Sequence, residues 1–117
     1  MKAERLNPAL DRITRVRGVR GAMVVSADDG LVVADALMEG IRGNAVAALA
    51  GSLAARLGRA AAATDAGEQR FVHLAAEGGA LLLLPGSEGL LIVAVTDHHV
   101  NVGLVRLEMQ RAAEEIA

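Results

Sequence analysis

The chain has 117 residues and a net charge of −2; 53% of it is apolar, yet Phe71 is its one aromatic residue and it has no cysteine. A chain of this length makes about one domain. Without Cys there is no disulfide scaffold or thiolate metal site, without aromatics no stacking platform for single-stranded nucleic acid, and the apolar content excludes a disordered tail.

The opening MKAERLNPALDR holds no apolar run fit for a signal peptide. The longest apolar stretch, residues 45–55, is interrupted by Gly51 and Ser52 and falls far short of the ~20 residues of a membrane span. The reading is a soluble, cytoplasmic protein with no membrane insertion. Residues 1–20 carry Lys2, Arg5, Arg12, Arg15, Arg17 and Arg20 against Glu4 and Asp11, a net of +4, and the remainder nets −6. A basic first helix could meet an acidic partner, but a solvated helix face is the simpler reading. The acidic whole does not suit nucleic acid.

In chain order, Asn7 and Pro8 read as a helix start, Asn as cap and Pro at the first helical position. Leu6, Leu10, Ile13 and Val16 recur at helical spacing, and the helix is expected to end near Arg17 and Gly18. Residues 21–26 read as a strand, Asp28-Asp29-Gly30 as a tight turn, and residues 31–37 as the returning strand. Residues 39–43 connect to a second helix, capped by Asn44 and running to about Ala63. Residues 70–76, 80–84 and 90–96 are the next three strands, and Asn101 caps a last helix. The order α-β-β-α-β-β-β-α makes an α/β fold. Residues 80–84 (ALLLL) and 90–96 (LLIVAVT) show no polar alternation, so the five-stranded antiparallel sheet should be covered on both faces. The middle helix is expected on one face and the two terminal helices on the other.

On a helical wheel Val46, Leu49, Ala50, Leu53, Leu57 and Ala60 cluster on one side, which is expected to face the sheet. Beside them lie Ala47, Gly51, Ala54, Ala55, Gly58 and Ala62, all Ala or Gly. Glycine inside a helix costs ~1 kcal/mol relative to Ala. A stripe this small admits a second backbone, and the simplest partner is the same helix of a second copy. Ser52, Arg56 and Arg59 occupy the remaining side. In the last helix Val102, Val105, Met109, Ala112, Ala113 and Ile116 form an apolar stripe, with Leu104 and Leu107 off it and read as ordinary core packing against the first helix.

Residues that could do chemistry are few. Asp97-His98-His99 spells a phosphoesterase signature, but that chemistry needs two metals and more ligands, and His73 is the only other histidine. Ser87 stands in Pro85-Gly86-Ser87-Glu88-Gly89, which lacks nucleophile-elbow spacing. The pairs Gly18/Gly21 and Gly40/Gly43 complete no phosphate loop. Asp28 and Asp29 read as turn formers. Neither an enzyme in its own right nor a cofactor is expected.

The hairpin VVSADDGLVVADA, the helix segment AGSLAARLGRA and the closing GLVRLEMQRAAEEI resemble the Roadblock/dynein light chain family, in particular its bacterial MglB-like members. The resemblance spans residues 5–117. It implies a single Roadblock-like domain (residues 1–117) with a profilin-like sheet between one middle helix and two terminal ones. It also implies a homodimer that sets second strands edge to edge and middle helices side by side. That would place the interface on Leu31, Val33, Asp35, Ala47, Gly51, Ala54, Ala55 and Gly58. The implied partner is a Ras-like small GTPase, MglA-like, whose GTP hydrolysis the dimer stimulates by repositioning the partner's own catalytic loop. Ser52, Arg56 and Arg59 are the expected contacts. Other members of similar size accompany sensor kinases and GTPases, so the alternative is a scaffold that leaves turnover unchanged.

Overall fold

The structure is a computed structural model that describes residues 3–117, with side chains from Arg5 onward. Lys2 lies outside the described residues, as does the side chain of Glu4. The elements are α1 (Ala3–Thr14), β1 (Val19–Ser26), β2 (Leu31–Leu37), α2 (Gly43–Ala63), β3 (Val72–Ala76), β4 (Gly79–Pro85), β5 (Leu90–Asp97) and α3 (Val102–Ile116). This is the order that the sequence pattern predicts. The strands form one antiparallel sheet in the order β2-β1-β5-β4-β3.

Both faces of the sheet are covered. On one face Leu6, Leu10 and Ile13 of α1 and Val105, Met109, Ala112 and Ile116 of α3 pack over Ala22, Val24, Leu82, Leu84, Ile92 and Ala94. The two helices are neighbours, joined by an ion pair between Arg12 and Glu115. On the other face Ala47, Ala50 and Ala54 of α2 pack over Met23, Val25, Leu83, Leu91 and Val93. Leu82 and Leu84 point one way and Leu83 the other, so the run of leucines in β4 serves two cores at once.

The middle helix is turned by about a quarter-turn from the orientation that its apolar stripe predicts. Ala47, Ala50, Gly51 and Ala54 are the buried residues of α2. Leu49 is 71% exposed and Leu57 37%. Ala47, Gly51 and Ala54 of the small stripe therefore meet this chain's own sheet and turn, while Ala55 and Ala62 stay exposed. The cause is volume. The sheet beneath α2 already presents Met, Val and Leu side chains, and an interior packed to crystal density leaves room there only for Ala and Gly. Two glycines set the distance. A Cβ on Gly51 would stand 3.2 Å from the Ala27 carbonyl oxygen, and one on Gly30 would stand 2.9 Å from the Ala48 Cα. Gly30 also holds φ +68°, closing the β1–β2 turn with its N–H donated to the Ser26 carbonyl at 2.8 Å.

Element ends differ from expectation most in α1, α2, β1 and β3. Helix α1 begins at Ala3, so Pro8 lies inside it and omits one backbone hydrogen bond; the helix stops at Thr14. Helix α2 begins at Gly43 with Arg42 as an N-cap that makes no side-chain cap bond, and Asn44 is inside it. Strand β1 starts two residues early, at Val19, and β3 two late, at Val72. Leu104 and Leu107 are exposed, not packed in the core, and Leu104 lines a hollow beside Val16 and Arg17, just past the end of α1. Asn101 does cap α3, its side chain accepting from the Leu104 N–H at 3.0 Å.

Two substitutions check this packing. Gly51→Leu should overfill the contact between α2 and the β1–β2 turn and cost ~1–3 kcal/mol of folding stability in denaturant melts, independent of protein concentration. Asn101→Ala should remove the cap of α3 and cost ~1 kcal/mol in the same measurement.

Candidate functional site

The outward side of α2 is the most distinctive surface of the molecule. Leu49, Ser52, Arg56 and Arg59 follow one another at steps of three, four and three residues, which sets them in line along the helix. All four are exposed. Leu53 is half-buried and Leu57 borders the same side. A helix apolar nearly all round cannot hide every apolar residue against one sheet face, and α2 leaves leucines in solvent. Arg56 and Arg59 take part in no ion pair or hydrogen bond among the described residues. Two unpaired guanidinium groups beside exposed leucines suit recognition of an acidic, partly apolar protein surface.

Strand β2 adds an open edge beside this helix. Leu31 at its start is 63% exposed and Met38 just past its end 60%. Asp35 is exposed, and its carboxylate lies on the α2 side, 3.8 Å from where a Gly43 Cβ would stand. Val33 is half-buried toward the core under α1 and α3. Of the residues that the sequence suggests for an interface, Leu31 and Asp35 are thus at the surface, as is Ala55, while Gly58 is half-buried near the Gln69 side chain. Ala47, Gly51 and Ala54 are covered by this chain's own strands. Ser52, Arg56 and Arg59 stand free, as a contact role requires. Sequence reasoning missed Leu49, Leu57 and Met38 as surface residues. The signal available for Leu49 and Leu57 was the surplus of apolar positions on α2.

The residues with chemical potential are engaged in turns. The Asp97 carboxylate accepts the His99 N–H at 2.9 Å, and the His98 and His99 rings lie 3.9 Å apart. Asp29 accepts the Leu31 N–H at 3.1 Å, and the Ser87 carbonyl accepts the Leu90 N–H at 3.1 Å. Among the described residues no group of three or more His, Asp or Glu could hold a metal ion. None of the described helices is long and apolar enough to cross a membrane. The surface presents an edge strand, a leucine flank and, among the described residues, two unpaired arginines.

Comparison with known proteins agrees with this architecture. The model of the Roadblock/LC7 domain matches residues 6–96. The uncharacterized protein MJ1340 of Methanocaldococcus jannaschii is 35% identical over 111 residues, spanning 95% of this chain and 96% of that protein. The structure of Myxococcus xanthus MglB superposes with a TM-score of 0.88 at 21% identity, covering 98% of this chain and 86% of that one, a likeness of fold. A structure described as MglB with tetrameric arrangement gives a TM-score of 0.87 at 26% identity, covering 96% of this chain and 85% of its own. The order of elements, the two-sided sheet and the matched length lead to one assignment: the chain belongs to the Roadblock/LC7 domain family.

Proposed function

We propose that this chain is a homodimeric, non-enzymatic regulator of a Ras-like small GTPase in the cytoplasm, acting through surface contact as a single Roadblock domain. The observation that carries the reading is the outward side of α2, where exposed leucines adjoin Arg56 and Arg59 with no partner among the described residues. The likeness to MglB supports it, and a tetrameric arrangement of one such protein supports self-association.

The dimer runs over the open edge of β2 and the leucine flank of α2, with Leu31, Leu49, Leu53 and Leu57 at its centre. Residues of this kind bury well between two copies related by a two-fold axis. The alanine and glycine stripe has an indirect part: it lowers α2 onto the sheet and so brings the leucines to the edge. Ser52, Arg56 and Arg59 then border the paired helices and meet the GTPase, MglA-like in kind. A carboxylate-rich switch surface could be held by bidentate contacts from these guanidinium groups. Repositioning the partner's catalytic loop in this way raises its turnover without any catalytic group from the regulator.

Leu49→Arg combined with Leu57→Arg should give a folded monomer: an unchanged far-UV spectrum, but half the wild-type mass in sedimentation. A wild type that is monomeric at micromolar concentration overturns the dimer. With a cognate small GTPase, the protein should accelerate GTP hydrolysis, and Arg56→Ala with Arg59→Ala should abolish the effect. Binding with unchanged turnover selects a scaffold, and no binding to the GTPase refutes both.

A further inference from the structure

The sheet has a second free edge, β3, at the opposite end from β2. Natural edge strands are usually guarded by charged residues, proline or a bulge. Strand β3 reads VHLAA, has none of these residues, and pairs with β4 without a register shift. Four of its five residues are exposed, and Leu74 is half uncovered on the α2 side of the sheet. Its outer N–H and C=O groups are a ready row of donors and acceptors.

Two hollows flank this edge on the α3 side. One is an open cleft of about 710 Å³ lined by residues 66–71 and Arg106. There the Arg106 guanidinium stacks 4.6 Å above the Phe71 ring centroid, and Arg70 lines the same cleft. Neither arginine has an ion pair or hydrogen bond among the described residues, and Glu68 is the single acidic group on the rim. The other hollow, about 210 Å³, joins Ala75, Ala80 and Val102 with His73, Asp97 and His98. Phe71 and Ala75 are four residues apart on one side of the chain, so the centres of the two hollows lie ~13 Å apart along the strand.

We propose that β3 is a docking edge for an extended, acidic segment of a partner protein, which adds as a sixth, antiparallel strand. Main-chain bonds along such an edge give affinity, and pockets for alternate side chains give specificity. The segment carries an apolar side chain for the hollow at Ala75 and, four residues later, a carboxylate for Arg106 and Arg70. Its intervening alternate residues are apolar and lie beside Leu74. Charge complementarity selects the acid, since the cleft has two arginines to one glutamate. A second copy of this chain fits only in part. In antiparallel register Glu77 can reach the cleft, but the residue four before it is His73, which would crowd the His73 and His98 that already line the hollow. The proposal does not depend on the dimer or on the GTPase.

The test uses the full chain and the capped peptide Ser-Leu-Val-Thr-Val-Glu-Ser, with a control in which Lys replaces Glu. The acidic peptide should shift the amide resonances of Val72–Ala76 and slow their hydrogen exchange. The control should bind at least about tenfold more weakly, as expected when an ion pair becomes a repulsion. Arg106→Glu should reverse the preference between the peptides while leaving resonances elsewhere in place, an exchange that lost stability alone would not produce. Equal binding of both peptides, or no protection of β3 amides at millimolar peptide, overturns the proposal. So does protection, in the free protein, of the β3 amides that point away from β4 if it rises with protein concentration, which assigns the edge to a second copy.

Discussion

The structure depends on how closely α2 can approach the sheet. The β1–β2 turn rises against the helix at Gly30 and Gly51, where a single added Cβ on either side would crowd backbone atoms. Because the backbones meet there, Ala47, Ala50 and Ala54 fill the gap beneath the helix over Met23, Val25 and Val93. Large side chains on the strands and small ones on the helix sum to a filled layer. The same orientation leaves Leu49 and Leu57 at the surface. An element of the core thus determines which residues are available for contact.

The other face is built by a different rule. There α1 and α3 bring full-sized residues, Leu10, Ile13 and Met109, against smaller sheet positions such as Ala22 and Ala94. The ion pair of Arg12 with Glu115 is more than a third exposed on each side and contributes little, ~0–1 kcal/mol after screening. Apolar burial holds this layer, and Arg5, the other basic residue of α1, is exposed and donates to the Glu115 carbonyl at 3.3 Å. The sheet is thereby closed above and below and left open at both edges, so its bonding capacity is directed sideways. The Asp29 and Asp97 carboxylates are engaged in turns, Asp97 with the His99 amide.

Much of the fold is legible in the residues. Asp-Asp-Gly announces the β1–β2 turn because Gly30 can take a positive φ, and Asn101 announces α3 because its side chain can accept an orphan amide. The unbroken apolar runs of β4 and β5 disclose a sheet covered twice. Helix starts were less legible. Asn7-Pro8 has the form of a start, yet α1 begins earlier and absorbs the proline in its second turn. Asn44 has the form of a cap, yet the chain turns helical at Gly43. At α1 the burial of Leu6 in the core outweighs a local signal worth ~1 kcal/mol.

The candidate surface divides in the same way. The exposed line of Ser52, Arg56 and Arg59 follows from the sequence, since charged side chains stay in water unless paired. The choice between the leucine and alanine stripes does not. A helical wheel ranks faces by apolarity, whereas a core selects by volume, and the volume available is set by strands distant in sequence. By itself, then, the sequence determined the elements, their order and the two-sided sheet, because periodicity and turn residues act locally. Only the tertiary structure decided which face of α2 is buried, because that depends on the bulk of Met23, Leu83 and Val93 meeting the helix from elsewhere in the chain, and which strands form the edges, because that depends on the order in which distant strands pair.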